Sequence, residues 1–174
     1  MESGIRVRRL GAFHEREIVE LTEVLIDCVE GGASVSFMEP LSREKARAYW
    51  RSVAEHRALD AAGTIVGTVQ LMLNLPENQP HRADLAKMLV HRRARHQGVG
   101  RALLAAAEEC AHHEGRNLLV LDTASADAER LYERHGWQRV GVVPRFALYP
   151  DGRLCATTFY FKALEDGLSA PAAP

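Results

Sequence analysis

"HRRARHQGVGRALL", residues 91–104, joins a basic run to an amphipathic helix through two glycines, Gly98 and Gly100. Glycine inside a helix costs about 1 kcal/mol relative to alanine, so a pair of them at the entrance of an otherwise good helix asks for bare backbone. A strand before the loop and a helix after it would bring several backbone N–H groups together at one helix N-terminus, a natural anion site. The helix dipole contributes only about 0.3–1 kcal/mol there. Direct hydrogen bonds and the arginines Arg92, Arg93, Arg95 and Arg101 must supply the rest. Two common phosphate loops do not fit: a Walker loop needs Lys and Ser or Thr where Arg101 and Ala102 stand, and a dinucleotide fingerprint needs Gly or Ala in place of Leu103. Taken alone, the loop reads first as an ordinary glycine turn beside a solvated arginine face.

Around this loop the chain reads as one domain. Its 174 residues suit a single core, and no apolar run reaches the roughly 20 residues that a membrane span requires. Cys28, Cys110 and Cys155 stand apart rather than at metal-ligand or redox spacing, and the first ten residues hold no apolar leader segment. A soluble, cytoplasmic protein is expected. A net charge of -1 gives no general attraction to nucleic acid, and the basic loop lacks the interleaved aromatics on which single strands stack.

Periodicity sets the elements. Ile5 and Val7 alternate with polar residues in a first strand. Ile18, Leu21, Leu25 and Cys28 recur at helical spacing up to a stop at Gly31-Gly32. A second helix is expected from the N-cap Ser42, burying Ala46, Tyr49 or Trp50, and Val53. Strands follow at 63–74, 83–92 and 117–123, helices at 98–114 and 125–135, and a last strand pair at 138–143 and 155–164 flanks the turn Pro150-Asp151-Gly152. Cys110 falls on the apolar side of its helix and is expected in the core. The tail 167–174 reads as frayed, leaving a domain over 1–166.

Together, "MLVHRRARHQGVGRALL" (88–104) and "ADAERLYERHGWQRVG" (126–141) resemble, in order, the two signature motifs of the GNAT superfamily of N-acetyltransferases. In the first, Arg95-His96-Gln97-Gly98-Val99-Gly100 matches the coenzyme A loop; in the second, Tyr132 precedes Gly136 and Trp137. Within that superfamily, "GGASVSFM", "HRADLAKMLV", "LDT", "PDGRL" and "YFKAL" are similar to the tabtoxin-resistance acetyltransferases. The resemblance implies a single-domain mixed α/β (α+β) fold, with a twisted sheet of about six to seven strands flanked by about four helices and splayed between the fourth and fifth strands. Acetyl-CoA would lie in that opening. The backbone of Met88, Leu89 and Val90 would pair with its pantetheine arm, residues Arg95 to Arg101 would cradle its pyrophosphate, and Ser125 would be a further cofactor contact. Only residues 55–63 are available for the family's second strand, which must be short or irregular.

The implied reaction is direct attack of an amine on a thioester. An alkyl amine of pKa about 10.4 is mostly protonated at pH 7, and freeing it costs roughly 4.6 kcal/mol, so a base is needed. Asp122 is the preferred candidate because it ends the apolar run "LLVL" at the C-terminal end of a strand, where α/β crevices open; capping of the following helix is the competing role. His81 is a weaker candidate, and Glu133 reads as a solvated helix residue. The motif assigns Tyr132 as the acid that protonates the leaving thiolate, and a backbone N–H near Leu89-Val90 as oxyanion donor. Ser34, Ser36 and Phe37, in a loop with Met38, suit a closed acceptor pocket for a modest ligand.

His112 and His113 are adjacent, so their side chains diverge by about 100°, and no metal is expected. The leading reading is therefore an enzyme that acetylates a primary amine of a small molecule, with amino-acid-like toxins or antibiotics among the acceptors, working as a monomer or homodimer. The rivals are a protein or peptide N-acetyltransferase, which would want an open acidic groove, and a non-catalytic coenzyme A-binding module.

Overall fold

A computed structural model describes residues 5–9, 14–51, 56–59 and 63–164. In chain order these form β1 (Arg6–Arg9), α1 (Glu15–Glu30), α2 (Arg43–Trp50), β2 (His56–Leu59), β3 (Ile65–Met72), β4 (Arg82–Val90), a 3-10 turn (Arg92–Ala94), α3 (Val99–His113), β5 (Leu118–Thr123), α4 (Ala126–Arg134), β6 (Gln138–Leu148) and β7 (Leu154–Ala163). The strands lie in the order β1-β2-β3-β4-β5-β7-β6. β4 and β5 run parallel, and every other neighbouring pair is antiparallel. The tail 167–174 and Val53 lie outside the described residues.

Local chemistry accounts for the helix ends. The Glu17 carboxylate accepts the His14 backbone N–H at 3.1 Å, which starts α1, and Gly31 closes it. At α2 the Ser42 hydroxyl accepts from the Lys45 N–H at 3.2 Å, as an N-cap should. Trp50, not Tyr49, is the aromatic that α2 buries completely. Tyr49 stays half-buried, its ring edge-on to Phe37 at 5.2 Å and to Trp50 at 4.8 Å.

Two cores result. Ile18, Leu21, Leu25, Cys28, Ala46 and Trp50 pack with Leu89 under α1 and α2, while Val99, Leu103, Leu104 and Ala107 of α3 and Tyr132 of α4 pack with Leu85 and Leu119. Cys110, expected in the core, is only half-buried; Cys28 and Cys155 are the buried thiols. β2 is short, as its sequence implied, with a register shift at Ala58/Leu59. Gly67 of β3 has a purpose that periodicity does not reveal. A Cβ there would stand 2.9 Å from the Leu89 carbonyl and 2.9 Å from Val99 Cγ1, so its absence lets α3 lie close against the sheet.

β4 is the strand that shapes the molecule. It pairs with β5 over only three positions, Arg82↔Leu118 to Asp84↔Val120, although β4 runs on to Val90 and β5 to Thr123. The sheet is therefore splayed at this seam. On its other edge, β4 carries a bulge against β3: Gln70 faces Ala86 and Thr68 faces Leu89, so Lys87 and Met88 together oppose Val69. The extra residue switches faces, which is why Leu85 enters one core and Leu89 the other although both are odd-numbered. Lys87 takes the strain, with φ at 48°.

Candidate active site

The splay opens beside the start of α3. Two left-handed residues, His96 (φ 60°) and Gly98 (φ 82°), fold the chain from β4 into the helix, a conformation glycine adopts freely and side-chain-bearing residues resist. Gly98 is the N-cap and offers no side chain to the first helical N–H groups; a Cβ on it would meet nothing within 4 Å. The Cβ direction of Gly98 is thus open. Gly100 has a different job: its Cβ would stand 3.0 Å from Leu131 Cδ2, so its bareness admits α4.

The arginines divide. Arg92 is pinned to α1, its N–H on Asp27 Oδ2 at 2.6 Å and its Nε on Asp27 Oδ1 at 2.8 Å. Burial pushes the Asp27 carboxyl up, but the Arg92 backbone and guanidinium bonds, with the charges of His91 and Arg92, outweigh it and hold the group below the ordinary carboxylate range. Arg95 Nε reaches back to the Val90 carbonyl at 3.4 Å, leaving an exposed guanidinium beside the turn. That carbonyl also accepts from the Cys28 thiol at 3.5 Å, which burial pushes up to about 11 and so keeps protonated. Gln97 is tied to the Arg93 carbonyl at 2.9 Å; His96 and Arg101 are exposed and Val99 is buried. An uncapped helix end, open space before it, exposed cations and the unpaired β4 edge at Met88–Val90 suit a long ligand with a diphosphate at one end.

Asp122, Tyr132 and Lys87 share the other side of the seam. Asp122 does not cap α4; Ser125 does, its hydroxyl accepting from the Ala128 N–H at 3.4 Å. Asp122 instead accepts from the buried Thr157 hydroxyl at 2.7 Å, which fixes its carboxylate at the end of β5. Tyr132 is buried, its ring 5.7 Å from that of Trp137 and 5.9 Å from that of Tyr160. Burial first, and the Asp122 charge second, push its phenol well above the ordinary range, so it holds its proton at neutral pH. Its hydroxyl bonds to no other described residue.

Glu133 is not merely solvated. It accepts from the buried Tyr160 hydroxyl at 3.0 Å, while Glu129 accepts from Thr158 at 2.9 Å. Those bonds brace α4 on β7 and so aim Tyr132. Burial, then the bond to Glu133, push the Tyr160 phenol up to about 12.

The loop between α1 and α2 forms the facing wall. Ser34 spends its hydroxyl on the Leu148 carbonyl at 2.9 Å, and the Glu39 N–H bonds the Pro150 carbonyl at 3.1 Å, so the loop is moored to the β6–β7 hairpin. Ser36 and Phe37 then meet Lys87: Nζ donates to Ser36 Oγ at 2.9 Å and lies 6.0 Å from the Phe37 ring centroid. Sequence reading missed Lys87, because nothing in "ADLAKMLV" marks a bulge. His81 lies away from this cluster, before β4, with its carbonyl bonded to Asn117 and Leu118 at the start of β5. A concavity of about 520 Å³ beside Glu108, Gln138 and Lys162 shares no residue with the cluster; its lysine is held by Glu108 at 2.7 Å. Among the described residues, no group of three or more His, Cys, Asp or Glu could hold a metal ion.

A model of the acetyltransferase (GNAT) domain matches residues 46–139. The chain belongs to the GNAT acetyltransferase family. It is an acetyl-CoA-dependent N-acetyltransferase. Over 127 residues this acetyltransferase is 30 % identical to an uncharacterised N-acetyltransferase from the hisH-hisA intergenic region of Azospirillum brasilense, an alignment spanning 69 % of this chain and 76 % of that one. Its fold matches a phosphinothricin acetyltransferase from Sinorhizobium meliloti solved with acetyl-CoA, with TM-score 0.78, 17 % identity and coverage of 94 % of this chain and 90 % of the other. It likewise matches YncA from Salmonella typhimurium, solved with its cofactor acetyl-CoA, with TM-score 0.76, 17 % identity and coverage of 98 % and 99 %. No helix among the described residues is long and apolar enough to cross a membrane.

Proposed function

We propose that this acetyltransferase transfers the acetyl group to a primary amine of a small, amino-acid-like molecule, with Asp122 as base and Tyr132 as general acid. Bound acetyl-CoA supplies the acetyl group as a thioester. The α3 N-terminus with Arg95 to Arg101 would hold the cofactor's pyrophosphate, and the open backbone edge at Met88, Leu89 and Val90 its pantetheine arm. Asp122, steadied by Thr157, takes a proton from the acceptor ammonium. Tyr132, kept neutral by its burial, holds a proton at Oη for the departing sulfur. A backbone N–H in the Leu89-Val90 region is the oxyanion donor in this scheme.

The observation that carries the reading is the pairing, at one seam, of a fixed carboxylate with a buried neutral phenol, because amine acetylation needs one proton removed and one supplied. The loop bearing Ser36 and Phe37, moored to the β6–β7 hairpin, supports a bounded pocket rather than a protein-sized groove. The fold shared with a phosphinothricin acetyltransferase points the same way. The test is release of coenzyme A thiol from acetyl-CoA across a panel of amino acids, simple amines and peptide N-termini. Turnover confined to the small amines supports the reading, turnover confined to peptides overturns the acceptor class, and binding of acetyl-CoA without any turnover leaves a non-catalytic module.

A further inference from the structure

Lys87 is used by neither the cofactor cradle nor the proton chemistry, yet the fold goes to some length to present it. It sits at the β4 bulge with φ at 48°, and the residue it meets, Ser36, has φ at 72°. Left-handed backbone costs a side-chain-bearing residue about 1–3 kcal/mol and persists where the surroundings hold it. The two partners of one hydrogen bond are thus both strained, one on the sheet and one on the facing loop.

The ammonium is half-buried and makes no ion pair among the described residues. Of its three N–H donors, Ser36 Oγ takes one. The face of Phe37 lies within cation-π range, with Lys45 of α2 a second cation at 5.9 Å from the same ring. Burial pulls the Lys87 amine below the ordinary lysine range, opposed by the Asp122 charge. The Asp122 charge is thus felt at Lys87, although no hydrogen bond or ion pair joins the two. A partly desolvated cation with unused donors calls for an anion, and the Asp122 carboxylate opposite calls for a cation.

We infer that Lys87, with Ser36 and Phe37, binds the acceptor's carboxylate, so that the substrate is a zwitterionic amino acid or close analogue whose amine faces Asp122. This rests on the small-amine reading above and names the group that sets its specificity. A phosphate dianion fits less well, since the single ammonium is offset by the Asp122 charge in the same pocket. Lys87 is a binding residue here, and no bond to it forms or breaks.

The experiment compares kcat/KM for matched pairs, phenylalanine against phenethylamine and leucine against isopentylamine, in the wild type, Lys87→Met and Lys87→Gln. Folding of each variant is checked by circular dichroism and acetyl-CoA affinity by calorimetry. The wild type should prefer the amino acid of each pair, and at least one folded variant should lose that preference by about ten- to a hundredfold, the range for a charge-assisted hydrogen bond. Lys87→Arg should keep most of it. An acid-to-amine ratio unchanged in a folded variant, or a wild type that prefers the decarboxylated amines, overturns the role of Lys87 while the small-amine reading stands. Failure of the wild type to acetylate any small amine removes that reading and this inference together.

Discussion

Replacing Tyr132 by Phe separates chemistry from packing. The substitution keeps the ring and its contacts with Trp137 and Tyr160 and deletes a hydroxyl that bonds to no other described residue. Removing a buried hydroxyl without a protein partner leaves nothing newly unsatisfied, so Tm should stay level or rise. If that hydroxyl protonates the departing thiolate, kcat should fall about 10²–10⁴-fold, equivalent to about 2.7–5.4 kcal/mol at roughly 1.36 kcal/mol per decade, with acetyl-CoA affinity unchanged. Single-turnover measurements under saturating acetyl-CoA and acceptor keep product release from masking the effect. The wild type supplies a second check: because the Tyr132 phenol is raised above its ordinary value, its ionisation should not cut activity below about pH 10. A folded Tyr132→Phe with kcat within about threefold of wild type would refute the assignment, since general acid catalysis contributes at least about a hundredfold.

Asp122→Asn should depress kcat about 10²–10⁴-fold at saturating acetyl-CoA and acceptor with acetyl-CoA affinity unchanged; a folded variant within about threefold of wild type would move the base elsewhere. Gly98→Ala forces a side chain into the left-handed region and should cost about 1–2 kcal/mol in denaturant unfolding while weakening acetyl-CoA binding by calorimetry, and unchanged affinity would speak against the cradle. Asp27→Asn should loosen the Arg92 turn and weaken acetyl-CoA binding several-fold without touching the catalytic groups. Since the Asp27 carboxyl is depressed by folding, its stabilisation is complete above the ordinary pKa of about 3.9 and lost as pH falls through the folded value; Tm should therefore fall less between about pH 5 and pH 3 in Asp27→Asn than in the wild type.

The parts legible in sequence were those written in local chemistry. Ser42 as an N-cap, Gly31-Gly32 as a stop, and Gly98 as bare backbone at the entrance of α3 each follow from the preferences of one or two residues. The capping role left open for Asp122 fell to Ser125, a choice sequence could not make because both residues precede α4 within hydrogen-bonding reach. Lys87, Gly67 and Glu133 were opaque because each is defined by a partner far along the chain: Ser36 across the pocket, Val99 above the sheet, Tyr160 on β7. Alternation along β4 was misleading for a related reason. Its odd-numbered Leu85 and Leu89 look like one face, and only the bulge sends them to opposite cores.

The three-position pairing of β4 with β5 also makes the protein's rigidity conditional. One half of the sheet, β1 to β4, and the other, β5 to β7, are stitched by little backbone at the very place proposed for the donor, so an occupant bridging β4 to the α3 turn would act as mortar between two courses of brick. Ligand held only by the joined form adds about 2.7 kcal/mol to stability at a hundred times its dissociation constant. Amide exchange along 118–123 and 88–90 should then slow together on adding coenzyme A. An enzyme built on such a joint is most yielding when it has nothing to transfer and stiffens as it is loaded.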